Sequence, residues 1–303
     1  LSTPPYTAYL KIAEGCDNRC SYCAIPIIRG PFRSTPIEPL AGQAQELADG
    51  GVRELCVVAQ DTTRYGEDIY GECRLSQLLT ELCKIDGIHW IRLLYAYPDR
   101  LTDDIIDVMA REPKIVKYID LPIQHCCGEV LSRMNRPGDR ESLEKTIEKL
   151  RKKIPGITVR TTLIAGFPGE TEEQFCALSD FVKKMRFERL GCFAYSAEEG
   201  APAAEFDNQL SEQEKNKRAE IIMDRQAVIS DELSEQKVGQ SVEVLVEGYD
   251  TYIKHFYGRT PADAPDIDCK IFFKSKNKPS PGDFVKVRVT DVLDMDLLGE
   301  EEA

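Results

Sequence analysis

The sequence lacks any apolar run long enough to span a bilayer, and no secretory signal pattern opens the chain. Hydrophobic residues make up 42% and charged residues 30% of its 303 residues, which is typical of a globular protein with a sizeable core. These features exclude a helical membrane protein. We therefore predict a cytoplasmic protein that has no membrane partner.

An excess of positive charge is also absent, because the 39 Lys and Arg residues are outnumbered by 52 Asp and Glu residues and the formal net charge is -13. A protein that binds nucleic acid by broad neutralisation of phosphates needs the opposite balance. An acidic surface instead favours a basic macromolecular partner, whose approach its field would steer.

Several catalytic signatures are missing as well. The sequence contains no nucleophile elbow, no phosphate-cradling loop and no Rossmann fingerprint.

Cysteine, by contrast, is abundant, with eleven in the chain. Disulfide frameworks belong to short secreted domains, whereas cysteines of intracellular enzymes more often bind metal. Cys16, Cys20 and Cys23 form a C-x3-C-x2-C run directly after an apolar segment. Closed zinc and four-iron sites take four protein ligands, so three thiolates favour a cluster with one iron open to another ligand. Half of a zinc site, or ordinary buried thiols, are the alternatives.

The pattern of the chain predicts two domains, residues 1–236 and residues 237–303. Apolar segments at residues 9–13, 54–59, 88–95, 116–121, 157–165 and 189–195 alternate with amphipathic helical segments. Six such alternations predict an α/β fold with parallel strands, a partial (β/α)6 barrel. Helix starts are predicted at Thr102, at Thr171 with Gln174, and at Ser211 with Glu214. Short strands beyond residue 237 predict a small antiparallel, OB-like β-barrel.

In folds of this kind the chemistry collects at the carboxyl ends of the strands, and the cysteine run follows the first strand. Polar or glycine-rich segments follow the other strands, at residues 60–66, 95–99, 122–125 and 166–170 and at Ser196. Each segment alone is more often scaffold than ligand, but their number favours a functional rim. For His125 we favour a hydrogen-bonded structural role over a general acid or base. Gly166 and Gly169 either let backbone approach a ligand or form a tight turn.

The cysteine run, with Tyr22 before its last cysteine, is accompanied by four further motifs. These are Tyr-Leu-Lys-Ile-Ala-Glu-Gly at residues 9–15, Asp-Leu-Pro-Ile-Gln-His at 120–125, Met-Asn-Arg at 134–136 and Gly-Phe-Pro-Gly-Glu at 166–170. Together they resemble the methylthiotransferase branch of the radical S-adenosylmethionine (SAM) superfamily, over essentially the whole chain. Residues 258–268 resemble the TRAM domain of the ribosomal-protein aspartate type rather than that of its tRNA-modifying relatives.

The resemblance implies that Cys16, Cys20 and Cys23 bind a 4Fe-4S cluster whose fourth iron binds SAM. One electron would then cleave SAM to methionine and a 5′-deoxyadenosyl radical. This radical would remove hydrogen from the β-carbon of an aspartate in small-subunit ribosomal protein twelve, and a methylthio group would be installed. The implied cofactor-binding residues are Tyr22, Ile164 and Gly166 at the adenine, and Gln60, Gln124 and Arg160 at the methionine or ribose. No catalytic residue beyond the cluster ligands is implied.

The resemblance also implies an electron donor such as flavodoxin or ferredoxin. Members of this branch carry an additional amino-terminal domain whose three cysteines hold a second 4Fe-4S cluster, and the remaining cysteines of this chain do not show that spacing. We therefore expect a truncated chain that cleaves SAM without completing methylthiolation. Two alternatives stay open: a tRNA adenosine as the substrate, and a non-catalytic iron–sulfur or zinc protein that serves as a sensor or scaffold.

Overall fold

The computed structural model describes residues 3–302, in which strands and helices alternate over the first two thirds of the chain. The strands are β1 (Thr7–Lys11), β2 (Ala13–Glu14), β3 (Arg33–Ser34), β4 (Glu54–Val58), β5 (Trp90–Leu93), β6 (Ile115–Asp120), β7 (Thr158–Ala165), β8 (Arg189–Ala194), β9 (Ser241–Asp250), β10 (His255–Arg259), β11 (Ile271–Lys274), β12 (Phe284–Leu293) and β13 (Asp296–Glu301). The helices are α1 (Ile25–Arg29), α2 (Ile37–Asp49), α3 (Glu67–Tyr70), α4 (Leu75–Cys83), α5 (Asp103–Arg111), α6 (Gly128–Arg133), α7 (Arg140–Lys153), α8 (Glu172–Met185) and α9 (Glu212–Glu235).

Six strands form one parallel sheet in the order β1-β4-β5-β6-β7-β8. Each successive strand joins beside the previous one, and at least one helix crosses over between them, as parallel pairing requires. Within residues 3–302 the edge strands β1 and β8 do not pair with each other. The predicted partial (β/α)6 barrel is therefore confirmed.

The helices cover the sheet with apolar faces that the sequence spacing explains. In α7, Leu143, Ile147 and Leu150 lie at helical spacing and are buried in the main core. Burial of each such side chain contributes about 1.5–3 kcal/mol to the free energy of unfolding. The outer layer of helices thus leaves the strand ends as the place where polar side chains can meet.

Strands β2 and β3 form a separate two-stranded sheet, and the last five strands close a second, smaller barrel in the order β10-β11-β13-β12-β9. Its own core contains Val244, Val246, Ile271 and Phe273. The pairing is antiparallel except between β11 and β13, which run parallel. The predicted OB-like barrel is present, with this one parallel pair as a difference from an all-antiparallel arrangement.

The small barrel packs against the amino-terminal part of the large sheet. Trp90, the first residue of β5, packs with Tyr118 of β6 and Leu245 of β9 in a shared apolar cluster. Glu54, the first residue of β4, forms ion pairs with Arg92 and with Arg259 of β10. This docking covers the base of the sheet and leaves the carboxyl ends of its strands accessible.

No helix in the described part of the chain combines the length and the apolar character that crossing a bilayer requires.

Candidate functional site

A cavity of about 620 Å³ lies at the carboxyl ends of the sheet strands. That volume falls in the range of small-molecule sites. Six of the residues predicted from the sequence line it together: Cys16, Cys20, Tyr22, Cys23, Gln60 and Gln124. The structure thus brings together at one rim side chains that come from three separate loops.

The cysteine loop is fixed by its own backbone and by the loop that contains the Met-Asn-Arg motif. Gly15 has φ +80°, and a Cβ there would lie 2.1 Å from the carbonyl oxygen of Pro31. The amide of Cys16 donates to the carbonyl of Gly30 at 3.1 Å. Ser21 donates through its hydroxyl to the carbonyl of Arg133 at 2.7 Å. Because these bonds hold the loop at both ends, the three thiols have a defined position.

The thiols are free and suit a cluster better than a single ion. Burial raises the pKa of Cys16 and of Cys23, so a positively charged metal centre is needed to hold them as thiolates at neutral pH. No group of three Cys, His, Asp or Glu side chains within residues 3–302 is arranged to hold one ion. A zinc ion gathers its ligands in one coordination sphere, whereas each cysteine of a 4Fe-4S cluster binds a different iron. The arrangement therefore favours the cluster over the zinc alternative.

Cys20, the most buried of the three, is surrounded by aromatic rings and one guanidinium. The hydroxyl of Tyr97 lies 3.4 Å from its Sγ, and Nη1 of Arg136 lies 4.0 Å from the same atom. Arg136 also donates to the hydroxyl of Tyr22 at 3.4 Å and stacks over the Tyr97 ring, with 3.9 Å from its Cζ to the ring centroid. Burial raises the pKa of both tyrosines, so both hydroxyls stay protonated.

Asp61 ties the cysteine loop to the end of β4. Its carboxylate accepts from the side chain of Asn18 at 2.8 Å and from the amide of Thr63 at 3.0 Å. Burial raises the pKa of Asp61, and these hydrogen bonds offset part of that shift. The bond from Asn18 holds the cysteine loop against the neighbouring strand end.

Backbone strain gathers at the same rim. Arg19, Tyr95 and Gln124 all adopt positive φ, at 51°, 57° and 67°. Strained backbone of this kind persists where the surrounding structure enforces it, often at ligand sites. Gln60 adds a second signal, because its Oε1 is buried and has no hydrogen-bond partner within residues 3–302. An amide oxygen left in this way fits a ligand that brings a hydrogen-bond donor.

Three residues that the sequence predicts to bind the cofactor are not among those that line the cavity: Arg160, Ile164 and Gly166. The guanidinium of Arg160 pairs with Asp120 at 3.0 Å and with Asp268 at 3.5 Å. Ile164 lies two residues beyond Thr162, a lining residue on the same face of β7.

Gly166 belongs to a turn that packs against α9. A Cβ at Gly166 would lie 2.5 Å from Cγ of Lys215 in α9, so close packing on the protein itself accounts for this glycine. The amide of Gly166 donates to the carboxylate of Glu170 at 3.0 Å, and Arg218 pairs with the other oxygen of that carboxylate at 2.7 Å. These contacts favour the tight-turn interpretation of the motif.

His125 is fully buried behind the rim. Its Nδ1 accepts from the amide of Cys127 at 2.9 Å, and its Nε2 lies 3.5 Å from the carboxylate of Glu170. Both ring nitrogens therefore face protein groups, which agrees with the structural role favoured from the sequence.

Arg136, Tyr97, Asn18 and Asp61 are site residues to which the sequence assigned no role. Tyr97 and Asp61 do follow predicted strands, and Arg136 belongs to the Met-Asn-Arg motif. For Tyr97 and Asp61, the position at a strand end is the signal in the sequence. For Arg136 the signal is the motif alone, which does not indicate what the residue contacts.

Comparisons with known proteins agree with this geometry. The family model of the radical SAM superfamily matches residues 10–182, and that of the TRAM domain matches residues 238–301. Ribosomal protein uS12 methylthiotransferase RimO of Desulforamulus reducens is 52% identical over 301 residues, which cover 99% of this chain and 68% of that protein. RimO of Geobacter sulfurreducens is 48% identical over 300 residues, which cover 99% and 67%.

Solved structures share the fold at low identity. Coproporphyrinogen III oxidase (HemN) from Escherichia coli, a radical SAM enzyme, superposes with a TM-score of 0.55 at 19% identity and covers 76% of this chain and 54% of that chain. The methyltransferase TsrM from Kitasatospora setae gives 0.53 at 16% identity, with 92% and 44% covered. The superfamily implies a 4Fe-4S cluster and SAM as cofactors. The chain belongs to the radical SAM superfamily and, within it, to the family of the RimO methylthiotransferases.

Proposed function

We propose that this chain carries out the radical chemistry by which a methylthio group is added to the β-carbon of an aspartate in ribosomal protein uS12. One observation carries the proposal: the cysteines of the C-x3-C-x2-C run line one cavity in a chain about half identical to RimO enzymes. The site residues fit the cofactors, because three free thiols line that cavity together with Gln60, whose buried amide oxygen has no partner within residues 3–302.

In this proposal Cys16, Cys20 and Cys23 would hold the cluster, and SAM would bind at an iron that these three thiolates leave open. When bound, the cluster would pass on one electron from an external donor, and SAM would supply the carbon radical that removes hydrogen from the substrate. Gln60 and Gln124 orient the polar end of SAM through their amides, and Tyr22 packs beside the cluster ligands. The roles predicted for Tyr22, Ile164 and Gly166 at the adenine, and for Arg160, remain predictions.

Charge supports a protein substrate. The net charge of -13 favours approach of a basic ribosomal protein and disfavours broad contact with phosphates. The electron comes from a low-potential one-electron donor of the flavodoxin or ferredoxin class, and the reaction takes place in the cytoplasm.

Anaerobic reconstitution followed by addition of reductant and SAM tests the radical chemistry. We expect the iron and sulfide of one 4Fe-4S cluster and formation of 5′-deoxyadenosine. Replacement of Cys16, Cys20 or Cys23 by Ala should abolish both, because each substitution removes a ligand. Cys176→Ala is the matched control, since Cys176 is exposed on α8 and outside the cavity. Bound zinc without iron, or iron retained by all three variants, would contradict the proposal.

The substrate is tested separately by binding, because a chain that does not complete methylthiolation yields no methylthiolated product to measure. Purified uS12 and bulk tRNA are offered to the reconstituted protein in parallel, and binding of each is measured at several salt concentrations. We expect binding of uS12 in preference to tRNA. A tight, salt-sensitive tRNA complex without uS12 binding would instead identify a tRNA-modifying enzyme. A cluster whose paramagnetic resonance spectrum does not respond to SAM would identify a sensor or scaffold.

A further inference from the structure

Arg136 is a buried cation with which no carboxylate of residues 3–302 pairs. Four arginines are buried within residues 3–302, and three of them pair with carboxylates: Arg92 with Glu54 at 3.0 Å, Arg218 with Glu170 at 2.7 Å, and Arg259 with Glu247 at 2.6 Å. Arg136 is only 7% exposed and forms no ion pair with any residue of this described part of the chain. Since buried charges are normally paired, its counter-charge has to come from elsewhere.

The contacts of Arg136 direct its charge toward the cysteine loop. Nη2 donates to the carbonyl of Pro122 at 2.7 Å, and the Tyr97 ring stacks on the guanidinium. These contacts fix the orientation but carry no negative charge. Nη1 then faces the hydroxyl of Tyr22 at 3.4 Å and Sγ of Cys20 at 4.0 Å. The group nearest to it that becomes anionic on metal binding is the thiol of Cys20.

We propose that the cluster held by Cys20 is the counter-charge of Arg136, and that Arg136 raises the reduction potential of that cluster. The inference rests on the proposed function, which supplies the cluster. A thiolate-ligated cluster is anionic, and it becomes more negative when it accepts one electron from a low-potential donor. A fixed cation beside it stabilises the reduced form more than the oxidised form, because net charge and contacts to the sulfurs set the potentials of such clusters.

The experiment measures the midpoint potential of the reconstituted full chain in the absence of SAM, by a redox titration followed by paramagnetic resonance. Wild type is compared with Arg136→Gln, which removes the charge, and Arg136→Lys, which keeps it. Arg140→Gln is the matched control, because Arg140 is a partly exposed arginine that pairs with Glu144 outside the cavity. Iron content and thermal unfolding of each apo-protein are recorded alongside.

We expect a more negative midpoint potential for Arg136→Gln and values close to wild type for Arg136→Lys and Arg140→Gln. Equal potentials for wild type and Arg136→Gln overturn the inference, and so do equal shifts in the Lys and Gln variants, which indicate lost packing rather than lost charge. A shift that occurs only after SAM is added also overturns it, because the anion is then the carboxylate of SAM.

A further neutral variant, Arg136→Met, covers the case in which Arg136→Gln does not fold, since Met retains contact with the Tyr97 ring. If both neutral variants fail to fold as apo-proteins while Arg136→Lys folds, the charge is needed without the cluster, and the inference is wrong. Absence of a cluster from wild type refutes the proposed function instead, so the two failures are distinguishable.

Discussion

At the scale of single residues, Gly15 has the strictest steric requirement in the cysteine loop. Its φ of +80° is a conformation that side chains with a Cβ rarely adopt, and the Cβ of an alanine would lie 2.1 Å from the carbonyl oxygen of Pro31. We predict that Gly15→Ala lowers the free energy of unfolding by at least about 1–3 kcal/mol, the cost of a strained backbone conformation. Because the loop must shift, iron uptake should fall as well. Urea unfolding and iron content per chain measure the two effects.

Gly42→Ala is the control for this substitution. Gly42 lies within α2 and a Cβ there meets nothing within 4 Å, so alanine should stabilise the helix by about 0.5–1 kcal/mol. Iron uptake should stay at the wild-type level. Equal stability and equal iron content for both alanine variants would show that the shape of Gly15 is not required.

Local spacing predicted some site residues and not others. Cys16, Cys20 and Cys23 could be identified because their metal-binding spacing is complete within eight residues of sequence. Arg136 and Tyr97 lie 116 and 77 residues from Cys20, and only the folded sheet brings them beside it. Contacts of that separation leave no periodic signal in a single sequence, so no pattern could have assigned their roles.

At the scale of secondary structure, helix starts were predicted more accurately than strand ends. Both hydrogen bonds of the capping box at Thr171 are present: the Thr171 side chain accepts from the amide of Gln174, and the Gln174 side chain accepts from the amide of Thr171. Ser211 accepts from the amide of Glu214, while Thr102 begins α5 without a hydrogen bond from its side chain. Capping depends on residues within one turn, which explains why the sequence carries it.

Strand limits depend on tertiary contacts. The strand predicted at residues 88–95 is shorter, Trp90–Leu93, because Tyr95 adopts φ 57° where the chain turns into the rim. Strand β13 was not predicted, and it pairs with both β11 and β12 to close the small barrel. Its sequence, Asp-Leu-Leu-Gly-Glu-Glu, does not alternate, since its register is set by the two neighbours.

The cap of α8 provides a test at this scale. Thr171→Ala removes the oxygen that accepts from the amide of Gln174 at 3.2 Å, and we predict a loss of about 1 kcal/mol in the free energy of unfolding. Thr171→Ser keeps that oxygen and should retain most of the stability. Urea unfolding of the three proteins measures the difference. Equal losses in the Ala and Ser variants would mean that the methyl group, rather than the cap, is responsible.

At the scale of the whole molecule, the small barrel is locked to the sheet by buried charges. Glu54 is fully buried and pairs with Arg92 of β5 and Arg259 of β10. Asp263, just beyond β10, pairs with Arg189 of β8 in the same region. Buried pairs of this type hold two elements in one arrangement, and removal of one partner leaves a buried charge without compensation.

Glu54→Gln therefore tests how the two barrels depend on each other. Burial alone would raise the pKa of Glu54, but Arg92 and Arg259 outweigh it and hold the pKa below its ordinary value of 4.5. Because the folded pKa is the lower one, the stabilisation is complete above about pH 4.5 and is lost as the pH falls through the folded value. At neutral pH we predict that Glu54→Gln lowers the free energy of unfolding by about 3–5 kcal/mol.

The pH dependence separates loss of this charge from loss of shape. In wild type the free energy of unfolding should fall as the pH drops below about 4.5, whereas in Glu54→Gln the part of that fall due to Glu54 disappears and the two curves converge. Glu141→Gln, at an exposed pair with Lys145, should follow the wild-type curve throughout. A constant gap between wild type and Glu54→Gln across the acidic range would mean that packing, and not the buried carboxylate, joins the two barrels.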